Sequence, residues 1–401
     1  FIAFVLTRVY YKLKLLSIYT YLSMRFCNVT YKTGSLFFLV SQSFAAALRL
    51  LLSVKILEYA FFDGLHIPYY LTIIIELVLI WLYTNKSGIK TIVWTDALQS
   101  LFLITVMIVS IITIKNSLGL SFTGMVGAIA HHPYTKLFDW NAHSGSNFFK
   151  QFISGVLITV ALVGLDQSMM QKTLTINNVS GAKRNVLTFS FFIAAAQTLF
   201  LGLGVLLYLF AERHGIHLSA KNGQFTDTDG LYPFLTLNYC GKIGAVAFFI
   251  GVVASTFASI DACIAALTTA FSYDFMNIET KSPADKKKIK NMVLFGVNVA
   301  MFIIVMAFWS SEGAIINTIF KIAGYTYGPI LGLYLTGLFS DIRLKEKWVP
   351  LACVGAAAVT WVLNLLFMAQ FQFDLGFMNI LVNALLTILF LIVIKKKTNV
   401  A

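Results

Sequence analysis

Ten stretches of this chain are apolar over lengths that match the hydrocarbon core of a bilayer, and that succession sets the class of fold before any motif is read. They run at 34–62, 68–84, 89–114, 148–169, 186–212, 243–275, 288–310, 314–340, 348–369 and 375–394. About 20 residues of α-helix cross a hydrocarbon layer roughly 30 Å thick. Composition points the same way, since 58% of the 401 residues are hydrophobic and 12% are charged, about half the charged share of an ordinary soluble domain. The expectation is an all-α polytopic membrane protein, one transmembrane domain over 1–401 with the lipid bilayer as its surroundings. The opening FIAFVLTRVYY is too short for a span and lacks the layout of a signal peptide, so it reads as the tail of a helix.

The net charge of +13 is explained by topology and requires no nucleic acid. Of the 30 Lys and Arg, 21 fall in one alternating set of loops (1–33, 85–90, 170–185, 276–290, 341–347 and the tail from 395) and six in the other. The positive-inside rule puts the first set, and with it the C-terminus, in the cytoplasm. The short loops and tail suit a bacterial inner membrane. Four scattered cysteines support neither a disulfide framework nor a metal motif. No Walker motif, catalytic triad, HExxH or kinase set occurs in the chain, so nothing points to an enzyme.

The informative residues are the polar ones inside the apolar runs. Gly251–Phe275 carries Ser255, Thr256, Ser259, Asp261, Thr268 and Thr269. Ser255 and Ser259 are four apart and share a helical face, with Thr256 beside them. Each hydroxyl alone is compatible with bonding back to its own helix; clustered beside Ala254, Ala258 and Ala262, they resemble the oxygen donors of a hard-cation site where helices approach closely. Asp96 and Gln99, three apart in the 89–114 run, can face one interior groove, where a carboxylate is either protonated or holds a cation. Asp166, at the end of the 148–169 run, reads as a cap or loop partner. Gly155 and Gly164 in that run mark either close packing or a discontinuous helix.

Three basic residues lie within spans. Lys55 is near a helix end, three residues before Glu58, and pairs with it or snorkels. Arg49 falls near the midpoint of 34–62, with Gln42, Ala45, Ala46 and Ser53 at helical spacings around it. It serves either an internal carboxylate or an anionic solute, which a guanidinium grips through two hydrogen bonds. Lys321 is the third.

WTDALQ at 94–99, GLDQSMMQKTL at 164–174 followed by GAKRN, STFASIDACIAALTTAFSYDF at 255–275 and GYTYGPILGLYLTGLF at 324–339 stand in the order seen in the sodium:solute symporter family, which this chain resembles along essentially its whole length. The family includes sodium/sugar, sodium/proline and sodium/sialic acid cotransporters. The resemblance implies a LeuT-like five-plus-five inverted-repeat bundle with extra C-terminal helices, the family's first core helix being missing before Phe1. It implies Na+ as coupling ion with no other cofactor, and a small-molecule solute carried by alternating access. Ser255, Thr256 and the carbonyl of Val252 match ligands of the principal sodium ion. Asp96, with Ser255 and Ser259, matches a second sodium or proton site, although Ala258 stands where a further Ser is expected. Arg49 is similar to the arginine that holds the substrate carboxylate in the sialic acid branch. Leu162 stands where sugar cotransporters carry a gating Tyr, and Lys321 where they carry a sugar-binding Gln. The implied solute is an organic anion such as sialic acid; a neutral sugar, a transporter-like sensor and an uncoupled facilitator are the alternatives.

Overall fold

Backbone polar groups in lipid must be satisfied within their own segment, and the apolar runs do so as helices. The computed structural model describes the chain except residues 16, 63–64, 87–88, 137, 217–219, 222–223, 226–227, 240, 312–313 and 397–401. Two short helices, α1 (Thr7–Lys12) and α2 (Thr20–Arg25), precede the long α3 (Asn28–Leu57), α4 (Tyr69–Lys86) and α5 (Ile89–Ser117). After the short α6 (Phe122–His131) come α7 (Phe148–Thr159), α8 (Gln167–Thr173) and α9 (Val179–Arg213). The chain continues through α10 (Thr228–Tyr239), α11 (Gly241–Asp274), α12 (Pro283–Phe308), α13 (Ile315–Phe339), α14 (Val349–Phe371) and α15 (Asn379–Val393).

All ten expected runs are helical. Among the described residues, seven helices are long and apolar enough to cross a membrane, or eight if the bent pair α7 and α8 counts as one span. α13 is long enough but falls outside that group, because it carries Gly324, Tyr325, Thr326, Tyr327 and Gly328 in place of aliphatic residues. Three helices start earlier than hydropathy suggests. Asn178 caps α9 by accepting from the Gly181 amide (2.6 Å), and Ser282 caps α12 by accepting from the Asp285 amide (3.2 Å). Glu346 takes both the amide (2.9 Å) and the hydroxyl (2.7 Å) of Thr30 near the start of α3. Polar caps therefore draw the basic flanks of 170–185 and 276–290 into the helices. Helices α6 and α10 and the two-stranded pairing of Ala220–Lys221 with Gln224–Phe225 lie in segments expected to be loops.

α13 lies against α15, α3 and α14. Its glycines at 324, 328 and 332 form a stripe four residues apart that faces Asn379, Asn383 and Thr387 of α15. A Cβ at Gly328 would stand 2.6 Å from Asn383, and one at Gly332 would stand 2.7 Å from Thr387. Helices in lipid gain their contact from this close approach, since lipid tails are as apolar as Leu. Asn383 closes it by donating to the carbonyls of Gly324 (3.1 Å) and Tyr325 (2.9 Å).

Candidate functional site

The 148–169 run breaks. α7 runs through a π-helical turn at Val160–Gly164, the chain bends by 64°, and α8 begins at Gln167. Backbone exposed by such a break has to find partners inside the protein. The N-terminal segment supplies them: Tyr10 donates its hydroxyl to the Gly164 carbonyl (2.8 Å) and Tyr19 to that of Leu165 (2.6 Å). A Cβ at Gly164 would come within 2.6 Å of Leu6, so the glycine there serves close packing next to the break.

Asp166 sits in the bend, 3% exposed. Its Oδ1 accepts from the amides of Ser168 (2.8 Å) and Met169 (3.3 Å), capping α8, and also from the Ser168 hydroxyl. Its Oδ2 accepts the Tyr327 hydroxyl of α13 at 2.6 Å. Gln42 of α3 extends this network, donating Nε2 to Ser168 Oγ (3.2 Å) and to Cys263 Sγ of α11 (3.1 Å). Arg49 Nη1 donates to the same sulfur at 3.2 Å. One line of hydrogen bonds thus ties the helix break to α13, α3 and α11.

A cavity of about 150 Å³ opens beside this line, with Ser41, Ala45, Arg49, Leu162, Phe320 and Ala323 among its walls. Ser41 is fixed by a hydrogen bond from Thr326 (2.7 Å). Among the described residues Arg49 makes no ion pair. Its only described acceptor is a cysteine sulfur, which is a weak one. A guanidinium with no carboxylate in contact among the described residues, beside a cavity, is equipped to receive an anion.

Of the four candidate solute contacts, the structure brings Arg49 and Leu162 to one cavity and has Gln42 donate to the same Cys263 sulfur as Arg49. Lys321 is a correction. It is exposed on α13, while its neighbours Phe320 and Ala323 face the cavity. The register of α13 turns its ammonium away, and among the described residues Arg49 is the cation on the cavity wall.

The candidate ion ligands lie on the middle of α11, where Val252, Ser255, Thr256 and Ser259 are all half-buried. Thr256 donates its hydroxyl to the Val252 carbonyl at 2.9 Å. This is the back-bonding alternative, yet it also puts two candidate oxygens side by side, and a cation would bind both once the hydroxyl proton turned away. Asp96 pairs with the Lys172 ammonium of α8, so the partner observed for it is a cation and not the hydroxyls of Ser255 and Ser259. On α11 the buried carboxylate nearby is Asp261, which accepts from Thr84 of α4.

Sequence reading undervalued Asp166 and passed over Cys263 and Tyr327. Asp166 does cap a helix, as read. Its second oxygen is claimed by a tyrosine 161 positions away, and no local pattern reports such a contact. Cys263 lies four residues after Ser259 on the hydroxyl-bearing helix, a spacing that could have drawn attention to it.

Comparison with known proteins agrees with this architecture. Over 91% of its length the chain is 26% identical to the sodium/sialic acid symporter SiaT of Proteus mirabilis, covering 72% of that protein. Over 88% of its length it is 23% identical to the sodium/sialic acid symporter NanT of Aliivibrio fischeri, covering 69% of it. A solved structure of a Na+-coupled sialic acid symporter in a substrate-bound, outward-open state superposes with a TM-score of 0.78 at 19% identity, over 98% of this chain and 80% of that one. The shared fold is the LeuT-like bundle expected from sequence. The profile of the sodium:solute symporter family matches residues 1–347, and the chain belongs to that family.

Proposed function

We propose that this protein carries an organic anion across a plasma membrane together with Na+, and that sialic acid is the solute to try first. The observation that carries the reading is Arg49, a guanidinium on a cavity wall beside a broken helix, whose one acceptor among the described residues is a cysteine sulfur. Family membership supports sodium coupling, and the relatives named as sodium/sialic acid symporters support an acidic sugar as solute.

In this reading the solute carboxylate displaces Cys263 from Arg49 and takes two charge-assisted hydrogen bonds in place of one weak contact. Because Gln42 shares the sulfur, movement of Arg49 is transmitted through Ser168 to Asp166 and the helix break. The cavity of about 150 Å³ is below the roughly 300 Å³ at which solute pockets begin. Binding therefore enlarges it, with Leu52, Ile316 and Phe320, which close its apolar side, moving apart. Sodium enters at Ser255, Thr256 and the Val252 carbonyl as coupling ion, not as cofactor, and favours the conformation open to the outside. Each Na+ moving inward gains about 2.3 kcal/mol per 100 mV of membrane potential, and no covalent step is required.

The test is uptake of labelled sialic acid into proteoliposomes with and without an inward sodium gradient. Accumulation that requires sodium is the expected result. Equal uptake with no ion gradient would favour a facilitator, and accumulation of a neutral sugar in preference to the acid would refute the anionic solute.

A further inference from the structure

A second cavity, of about 400 Å³, lies at the end of α3, where the helix passes through a π-helical turn (Glu58–Phe62) on the way to α4. Lys55, Glu58, Tyr59, Tyr69 and Trp309 are among its walls. Lys55 is six residues beyond Arg49 and therefore about 9 Å further along the helix axis. Neither Lys55 nor Glu58 makes an ion pair among the described residues, so of the two alternatives for Lys55, pairing with Glu58 or snorkelling, the pairing is not observed. Glu58 is 7% exposed and accepts the Thr72 hydroxyl on Oε1. A carboxylate accepts on both oxygens, and Oε2 has capacity for a donor from the cavity. The aromatic walls are fixed. Tyr69 and Trp309 stack with centroids 4.2 Å apart and planes 13° from parallel, and the Tyr59 hydroxyl accepts from Asn238 at 3.1 Å.

These groups select a chemistry. A carboxylate among aromatic side chains recognises an ammonium group, because the ring faces are negative and the carboxylate completes the charge. A lysine one turn away with no ion pair among the described residues recognises an anion as a point charge, phosphate among them. The two residues stand three apart on one helix, with Cβ atoms about 5–6 Å from each other, and their charged ends do not pair. Two opposite charges that line one cavity without pairing suit a ligand whose own ammonium and anionic group are held apart by a short linker, as the two carbons of an ethanolamine or choline phosphodiester hold them. Tyr and Trp at the ends of spans also stand at the depth of lipid head groups. We propose that this cavity binds a zwitterionic ammonium phosphodiester of the ethanolamine or choline type, with the ammonium on Glu58, Tyr59, Tyr69 and Trp309 and the phosphate on Lys55. A phospholipid head group and a soluble glycerophosphodiester share this chemistry. The site is separate from the Arg49 cavity and does not depend on which solute that cavity takes.

The full chain, purified in detergent, is incubated with an equimolar mixture of phosphatidylethanolamine and phosphatidylglycerol of identical acyl chains, and the retained lipid is measured by native mass spectrometry. In parallel, soluble glycerophosphoethanolamine is titrated in the absence of lipid. The expected result is a preference of about tenfold for the zwitterionic lipid, saturable binding of the soluble phosphodiester, or both. Either signal is lost in Lys55→Gln and in Glu58→Gln, whose carboxamide oxygen still accepts from Thr72, while Arg49→Gln leaves it unchanged. Lipid preference alone assigns the site to a head group, and soluble binding alone assigns it to a free solute. Equal retention of the two lipids with no soluble binding overturns the proposal, and so does a signal that survives both Lys55→Gln and Glu58→Gln.

Discussion

The most informative perturbation is Arg49→Gln, because the structure puts a figure on its effect. In the absence of solute the guanidinium has one described acceptor, the sulfur of Cys263 at 3.2 Å, and no carboxylate partner among the described residues. Removing the charge therefore leaves no buried counter-ion stranded, and the variant is expected to fold. A bound solute carboxylate takes two charge-assisted hydrogen bonds from the guanidinium, each contributing about 1.5 kcal/mol. Their loss, about 3 kcal/mol, weakens binding by roughly two orders of magnitude. Arg49→Lys keeps the charge without the planar fork and is expected to fall between, about tenfold weaker than wild type. Lys321→Gln is the matched control: it removes a charge from the same region of the bundle, but from an exposed position, and solute affinity is expected to stay unchanged. The assay is equilibrium binding of labelled sialic acid to purified protein at saturating sodium, so that transport rate does not enter. If Arg49→Gln binds within roughly threefold of wild type, or if Lys321→Gln weakens binding as much, Arg49 is not the anion contact and the reasoning fails.

Three further outcomes follow from the same geometry. Thr256→Ala and Ser255→Ala each remove one oxygen from the α11 cluster, and each should raise the sodium concentration for half-maximal solute binding by about tenfold, a loss of about 1.4 kcal/mol; unchanged sodium dependence in both takes these residues out of the ion site. Lys172→Met frees the Asp96 carboxylate from its ammonium partner and should lower the sodium requirement if Asp96 lies on the ion pathway, whereas indifference to sodium in both Lys172→Met and Asp96→Asn removes Asp96 from it. Gly332→Ala puts a methyl 2.7 Å from Thr387 and 3.0 Å from the Ala384 carbonyl, and overpacking of about 1–3 kcal/mol should lower the thermal unfolding midpoint, while Gly204→Ala, with nothing within 4 Å, should leave it in place.

The spans were legible because lipid allows few structures, and an apolar run of sufficient length has helix as its outcome. Where the helices begin was less legible. Glu346, which takes the amide and hydroxyl of Thr30, is 316 positions away, and hydropathy says nothing about such a partner. The broken helix announced itself only as a choice between packing and discontinuity at Gly164, and both hold: Leu6 crowds the glycine, and the chain bends just beyond it. Arg49 and Lys321 show most clearly where sequence reasoning stops. Both are cations within apolar runs, and both drew the same inference about an anionic solute. Arg49 reaches the cavity because its face of α3 meets Cys263 of α11 and Leu162 beside the break. On α13 the inward positions are Phe320 and Ala323, which leaves Lys321 on the outside of that helix. A charge in an apolar run therefore identifies a residue that must have a partner, and the rotational register of its helix decides whether that partner is a solute in the cavity or lies outside it. That register is set by distributed contacts such as the Gly324, Gly328 and Gly332 stripe against α15, which involve no charge and carry no motif of function.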